Sequence, residues 1–294
     1  MALELTVVIL TLNEQEHIAR AIKSIKNIAA RIVVVDSGST DDTVDIAKRL
    51  GADVYYNKWL NYASQFNYAL ENTKISTEWV MRLDSDEYID PQLTAQIIAL
   101  EGVSNSVSGF QVNRRMKFLG HELKYGGMSE YWMLRIFRYS KGRCEQKWMD
   151  EHIIISDGVV ASLSGKLIDD NKKSIGWWID KHNSYSSREV VDIYFNMATS
   201  NRLEGQGSSS VRFLKKCYLT VPAGGRSTFY FLYRYLFRLG VLDGYRGFLW
   251  NFLQGWWYRM LIDIKLMQLK SYAQGDREKA IEYVNKELGV KFKG

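Results

Sequence analysis

Cysteine is scarce in this chain: Cys144 and Cys217 are the only two among 294 residues. They lie far apart and match no metal-ligand or redox spacing, which argues against a disulfide-stapled scaffold and suits a reducing compartment. Long uncharged runs are missing too. The longest in the C-terminal region, Gly247 to Tyr258, has 12 residues, whereas a membrane-spanning helix needs roughly 20. The opening MALELTVVIL lacks the charged n-region and small-residue cleavage site of a secretory leader and reads as a first strand. The chain is therefore expected on the cytoplasmic side. No internal repeat is visible, and the basic residues are scattered without a nucleic-acid-binding motif, so no nucleic-acid partner is expected.

What is present is enough chain to bury a core and an excess of Lys plus Arg over Asp plus Glu, 39 against 33. That balance favours an anionic partner such as sugar diphosphates or phospholipid headgroups. Over the first hundred residues, short β-branched runs alternate with amphipathic stretches, the pattern of parallel strands joined by crossover helices. Leu5 to Leu10, Arg31 to Val35, Ala52 to Tyr56 and Trp79 to Leu83 read as strands; Glu14 to Ile25 and Asp41 to Leu50 read as helices. Uninterrupted runs such as Ile32-Val33-Val34-Val35 imply a sheet covered on both faces, with ligands bound beyond the strands' carboxyl ends. From Ser108 to Ser162 the strands GFQVNRR, YWMLRIFR and HIIIS are expected to complete the sheet and wall an acceptor site.

Chemistry-bearing residues sit at the strand ends. Asp84-Ser85-Asp86 directly follows an apolar strand, and carboxylates two positions apart there can share a divalent cation with phosphate oxygens. Solvated turn acids produce the same spacing. The first strand runs into Thr11-Leu12-Asn13-Glu14, whose polar groups suit a base and ribose. The second runs into Asp36-Ser37-Gly38-Ser39-Thr40, where Asp36 can accept from a ribose hydroxyl or a base N–H. Helix capping and turn formation are the alternative uses of both loops.

Together, VVILTLNE, VVVDSGSTDDT and LDSDE resemble the successive nucleotide-sugar motifs of family 2 glycosyltransferases with the GT-A fold. The resemblance implies an α/β, Rossmann-like, mostly parallel sheet with helices on both faces. It implies nucleotide contacts at Thr11, Leu12, Asn13, Glu14, Asp36, Asp84 and Ser85, and Mn²⁺ or Mg²⁺ held by Asp86 with Asp84. The helix from Asn61 to Leu70 is similar to a segment of bacterial lipopolysaccharide-core sugar transferases, where Gln65 and Asn67 would approach the nucleotide; they could equally be surface amides. UDP is the preferred nucleotide, with guanine and thymine nucleotides left open.

An inverting transfer needs a base for the acceptor hydroxyl. The resemblance points to an acid in Lys147-Trp148-Met149-Asp150-Glu151-His152, so Asp150 and Glu151 are the candidates, Glu151 preferred. Neighbours on an extended segment face opposite ways. The other acid would then orient His152 or pair with Arg114, Arg115, Arg135 or Arg138. His17 and His121 have no partner evident in the sequence and are not expected to be ligands.

After Lys172 the text turns helical and aromatic, with a Gly/Ser-containing break at Gly205 to Ser210. Residues 1–165 are expected to form the catalytic domain. Residues 166–294 would form a helical, aromatic-rich extension for the acceptor and an anionic membrane surface. Within it, Lys181, His182 and Arg188 are candidate donor or acceptor contacts, and packing of the neighbouring tryptophans is the simpler use of that stretch. The aromatic and basic run from Phe229 to Met267 suggests a peripheral helix in the headgroup plane and a glycan or lipid-linked acceptor. Two competing functions are a sugar nucleotidyltransferase, disfavoured because LTLNEQEHI has no Gly-rich basic phosphate loop, and a non-catalytic basic membrane-surface module.

Overall fold

The strand β1 (Leu5–Thr11) is buried along its whole length, as a continuous apolar strand must be when helices cover both sheet faces. It pairs in parallel with β2 (Arg31–Asp36) and β4 (Trp79–Asp84), and β3 (Asp53–Tyr56) extends the sheet beyond β2. The computed structural model describes residues 4–100, 102–146, 151–200 and 224–292, with backbone alone at 196–200. Asp150, Cys217 and the break at Gly205 to Ser210 lie outside the described residues.

Side-chain alternation along β1 divides the core into two layers. Leu5, Val7 and Ile9 pack with α1 (Ile18–Ile25) and with Leu93 and Ile97 of α4 (Pro91–Ile98). Val8 and Leu10 face the other way, toward Ala63, Phe66, Ala69 and Leu70 of α3 (Tyr62–Asn72). In α1 the buried residues Ile18, Ala21, Ile22 and Ile25 recur at helical spacing. The shorter α2 (Thr43–Arg49) buries Thr43 and Ala47. Asn61 caps α3 by accepting from the Ser64 amide, and Asp90 caps α4 by accepting from Leu93, with Pro91 at the first helical turn.

Beyond β4 the sheet becomes mixed, in the order β3-β2-β1-β4-β8-β6-β11-β5. Here β8 (Trp132–Arg138) is antiparallel to β4 and to β6 (Val107–Phe118), and β11 (Val159–Asp170) is parallel to β6. The short β5 (Glu87–Ile89) closes that edge against β11, and β7 (His121–Glu122) turns back on β6. HIIIS does not complete the main sheet. Both edges of β8 are already taken, and β10 (Ile153–Ile155) pairs instead with β9 (Gly142–Cys144) in a separate ribbon.

Two units divide the chain: Met1–Leu123 with Met128–Lys173, and Lys124–Gly127 with Ser174–Gly294. The second unit is helical. Its α5 (Ile175–Ser200) packs on the helix Tyr258–Ala273, with the Lys265 ammonium donating to Asn183 O, Ser186 Oγ and Ser187 Oγ at 2.8 to 2.9 Å. Asp243 accepts the Lys124 and Tyr125 amides, and Arg234 Nε donates to Gly126 O at 2.7 Å, which secures the outlying 124–127 segment within its unit.

Candidate functional site

Register sets the geometry of the site. Thr11 is the partner of Asp36 and Leu10 the partner of Asp84, so three loop-bearing strand ends lie side by side. The first two loops are tied together: Asn13, at φ +54, donates its amide to Ser39 Oγ (2.8 Å) and accepts from the Thr40 amide (2.8 Å). Asparagine tolerates that left-handed backbone better than most residues. Glu14 donates its amide to Thr43 Oγ1 at 2.7 Å. Asp36 holds its own loop, accepting from the Gly38 and Ser39 amides (2.8 and 2.9 Å) and from Ser39 Oγ. The Thr11 hydroxyl is buried with no intramolecular partner, whereas Leu12 is exposed.

The amides of Gln65 and Asn67 are engaged within the unit. Gln65, fully buried, donates to Ser37 Oγ (2.7 Å) and to Asn57 O (2.8 Å). Asn67 bonds both ways with the Cys144 backbone, at 2.8 and 3.1 Å. Cys144 is a buried thiol, pushed up to about 11 by desolvation.

Around Asp84 runs a network of alternating charge. Arg82 precedes Asp84 by two positions on β4 and therefore shares its face. Its guanidinium donates to Asp84 at 3.2 Å and to Glu151 at 3.0 Å. Arg135 lies 2.6 Å from Glu87 and 3.4 Å from Asp84, and Arg114 pairs with Asp169 and approaches Glu87 at 3.3 Å. Burial pulls the Asp84 carboxyl upward, but Arg82 and Arg135 outweigh it and hold the group well below the usual carboxylate range. Fully buried Glu87 goes the other way: desolvation pushes it up to about 7 against the pull of Arg135.

The network also shows what Glu151 meets, while the second acid, Asp150, lies outside the described residues. Glu151 pairs with Arg82, whereas Arg114, Arg115, Arg135 and Arg138 are engaged by other acids, among them Asp169, Glu122, Glu87 and Glu78. His152 is held by Glu145 at 3.0 Å. Arg82 lies on the central strand β4, which brings it to a residue 69 positions away in the chain.

Asp86 accepts from Asn171 Nδ2 at 2.9 Å, and Ser85 is buried beside it. No group of three or more His, Cys, Asp and Glu side chains able to hold a metal occurs among the described residues. Asp84 and Asp86 could offer two carboxylates to a divalent cation. That donor set fits Mg²⁺ and Mn²⁺, which keep several waters and take one or two carboxylates plus substrate phosphates.

His17 does have partners. Fully buried, it lies 2.6 Å from Glu14 through Nδ1, and its Nε2 accepts from the Lys172 amide at 2.9 Å. An amide can only donate, so the ring proton sits on Nδ1. Lys173 reaches Glu14 at 2.7 Å and Asn13 O at 2.6 Å.

Lys181, His182 and Arg188 belong to α5 in the second unit. The His182 ring stacks on Trp178 at 3.5 Å between centroids and donates to Trp178 O at 2.8 Å. Burial lowers its pKa to about 4. Lys181 lies over Trp177 and Arg188 over Tyr185.

Sequence comparison matches residues 6–150 to the model of glycosyl transferase family 2. A lipopolysaccharide core biosynthesis glycosyltransferase of Rhizobium meliloti is 31% identical over 191 residues, covering 63% of this chain and 70% of that protein. An uncharacterized glycosyltransferase of Rickettsia typhi is 46% identical over 89 residues, and the match spans 30% of each chain. Among solved structures, glucosyl-3-phosphoglycerate synthase of Mycobacterium tuberculosis, in complex with Mn²⁺, UDP and glucosyl-3-phosphoglycerate, aligns with TM-score 0.31 at 24% identity, over 38% of this chain and 44% of that one.

Two outcomes follow from these contacts. Removing one partner of a buried ion pair costs about 3–5 kcal/mol, so Arg135→Met is expected to lower urea stability by about that much. Adding Glu87→Gln should restore part of the loss; no recovery would show that the two groups are not coupled. The second concerns acid. The native state holds His182 neutral to about 4, while the unfolded chain protonates it from about 6.5. Stability should therefore fall as pH drops from about 6.5 to about 4, and His182→Phe should flatten that part of the unfolding-versus-pH curve.

Proposed function

Because the chain belongs to glycosyl transferase family 2, we propose that it moves a sugar from a UDP-sugar to an acceptor hydroxyl with inversion at the anomeric carbon. The acceptor is a glycan or lipid-linked saccharide of bacterial lipopolysaccharide or polysaccharide biosynthesis. The observation that carries this reading is the shared guanidinium of Arg82, which bridges Asp84 at a strand end to Glu151. One arginine thereby joins a diphosphate-facing acid to a proton-accepting one.

In this mechanism the Thr11 hydroxyl, buried without a partner, meets the nucleoside beside Leu12, Asn13 and Glu14. Asp36 shapes the second loop, so that its contact to the ribose comes from a held carboxylate. Gln65 steadies Ser37 and Asn67 steadies the β9 ribbon, both acting on the nucleotide pocket through the backbone they fix. Asp84 and Asp86, flanking Ser85, would hold Mn²⁺ or Mg²⁺. When bound, the ion neutralises charge developing on the departing diphosphate.

Glu151 accepts the acceptor's proton as the hydroxyl oxygen attacks from the face opposite the diphosphate, with Asp150 the alternative base. As Glu151 becomes neutral, the Arg82 guanidinium is left to Asp84. In the second unit, Lys181 and Arg188 are proposed saccharide or phosphate contacts, with the neutral His182 ring stacked on Trp178.

Membrane attachment is part of the same proposal. The segment from Phe229 to Phe252 exposes large apolar side chains, Phe237 at 78% and Tyr245 at 74%, beside exposed Arg238 and Arg246. Among the described residues no helix is long and apolar enough to cross a membrane. An in-plane helix with aromatics at the interface and arginines on anionic lipid suits this composition.

Calorimetric titration with UDP should give binding that strengthens with Mn²⁺, a gain that Asp86→Ala abolishes. Turnover with a UDP-sugar panel should fall about 10²–10⁴-fold in whichever of Glu151→Gln and Asp150→Asn removes the base. Metal-independent binding, or near-normal turnover in both variants, would overturn the assignment. Sedimentation with anionic vesicles should lose the Phe237→Asp/Tyr245→Asp variant to the supernatant; unchanged partitioning would refute the interfacial helix.

A further inference from the structure

A cavity of about 350 Å³ opens beside Asp86, lined by Lys117, Leu119, Asp170, Asn171, Lys172 and Lys173 among others. Its size suits a small ligand. Its walls are the adjacent carboxyl ends of β6 and β11, where Lys117 is the register partner of Asp170. One lining residue also meets the candidate site, since Asn171 donates to Asp86 Oδ2 at 2.9 Å.

Charge in the cavity is uneven. Arg20 offsets Asp170 at 2.7 Å, and Glu14 offsets Lys173 at 2.7 Å. Lys117 and Lys172 remain as cations beyond these pairs. Lys117 donates to the Tyr88 hydroxyl at 3.0 Å, a bond that raises its pKa and keeps it charged. Lys172 is exposed, but its backbone is fixed by the buried His17, whose other nitrogen meets Glu14. The two ammonium groups are thus carried on anchored segments, and two positive charges lining a pocket are best matched by a dianion.

We propose that this cavity is an anion subsite that receives a phosphate group carried by the acceptor, so that the enzyme selects a phosphorylated saccharide. The inference rests on the glycosyltransferase reading for the word acceptor, and on the cavity alone for the anion. The same chemistry could serve the donor's diphosphate, and the test separates the two.

The full chain would be titrated with inorganic phosphate without metal and, separately, with UDP plus Mn²⁺. Wild type should bind phosphate saturably. Lys117→Gln/Lys172→Gln should weaken phosphate about tenfold, in line with losing charge-assisted hydrogen bonds, while UDP binding stays within about twofold. Lys117→Arg/Lys172→Arg should retain phosphate. The proposal is overturned by absent phosphate binding, by unchanged affinity in the glutamine variant, or by a parallel loss of UDP, which would give the lysines to the donor. If UDP never binds yet phosphate binding depends on the lysines, the anion site stands and the UDP-sugar reading fails.

Discussion

Arg82 is the group on which the candidate site depends. A guanidinium almost removed from solvent on a central strand is costly unless carboxylates surround it, because desolvating each ion costs several kcal/mol. Asp84 and Glu151 supply that compensation from opposite sides, and Arg135, Glu87, Arg114 and Asp169 continue the alternation across the neighbouring strands. The arrangement fixes three things together: Asp84 remains an anion, Glu87 is driven toward its neutral form, and residue 151 is drawn from a distant segment to the end of β4. Charge in the candidate site and charge needed for folding are therefore parts of one network.

The loops that follow β1 and β2 use a different device. Their polar groups are mostly spent on each other, with Asn13 bonded to the Ser39-Thr40 turn and Asp36 bonded to its own loop amides. Such loops arrive at a ligand already ordered, so binding loses less conformational entropy. Thr11 is the exception, its buried hydroxyl left unpaired where the first strand ends. A buried polar atom without a partner is a cost that a bound ligand can remove.

The second unit is held by rings and a few placed bonds. Trp178, His182, Tyr185 and Tyr258 form one cluster, and the Phe231, Tyr235, Phe248 and Phe252 rings form another next to exposed apolar residues. Desolvation keeps His182 neutral there, which makes this histidine a packing ring at ordinary pH.

Strand-and-helix alternation, continuous β-branched runs and acids at strand ends are local properties, so β1 to β4 and the Asp84-Ser85-Asp86 turn were legible from the residues themselves. The strand β11 was not read, although its buried Leu163, Gly165 and Leu167 alternate, because its polar outer positions lower the apolar signal of an edge-side strand. Nor was Arg82 singled out, although its i, i+2 spacing to Asp84 on a strand was the available clue. Its pairing with Glu151, the Asn171 bond to Asp86, the His17 link to Lys172 and the lysine-lined cavity all join residues far apart in the chain. The sequence alone determined that the segments of β1 to β4 become strands and which residue types stand at their ends, because both follow from neighbours in the chain. Only the tertiary structure decided which charges meet, because long-range pairing depends on strand order and register, which bring distant segments together.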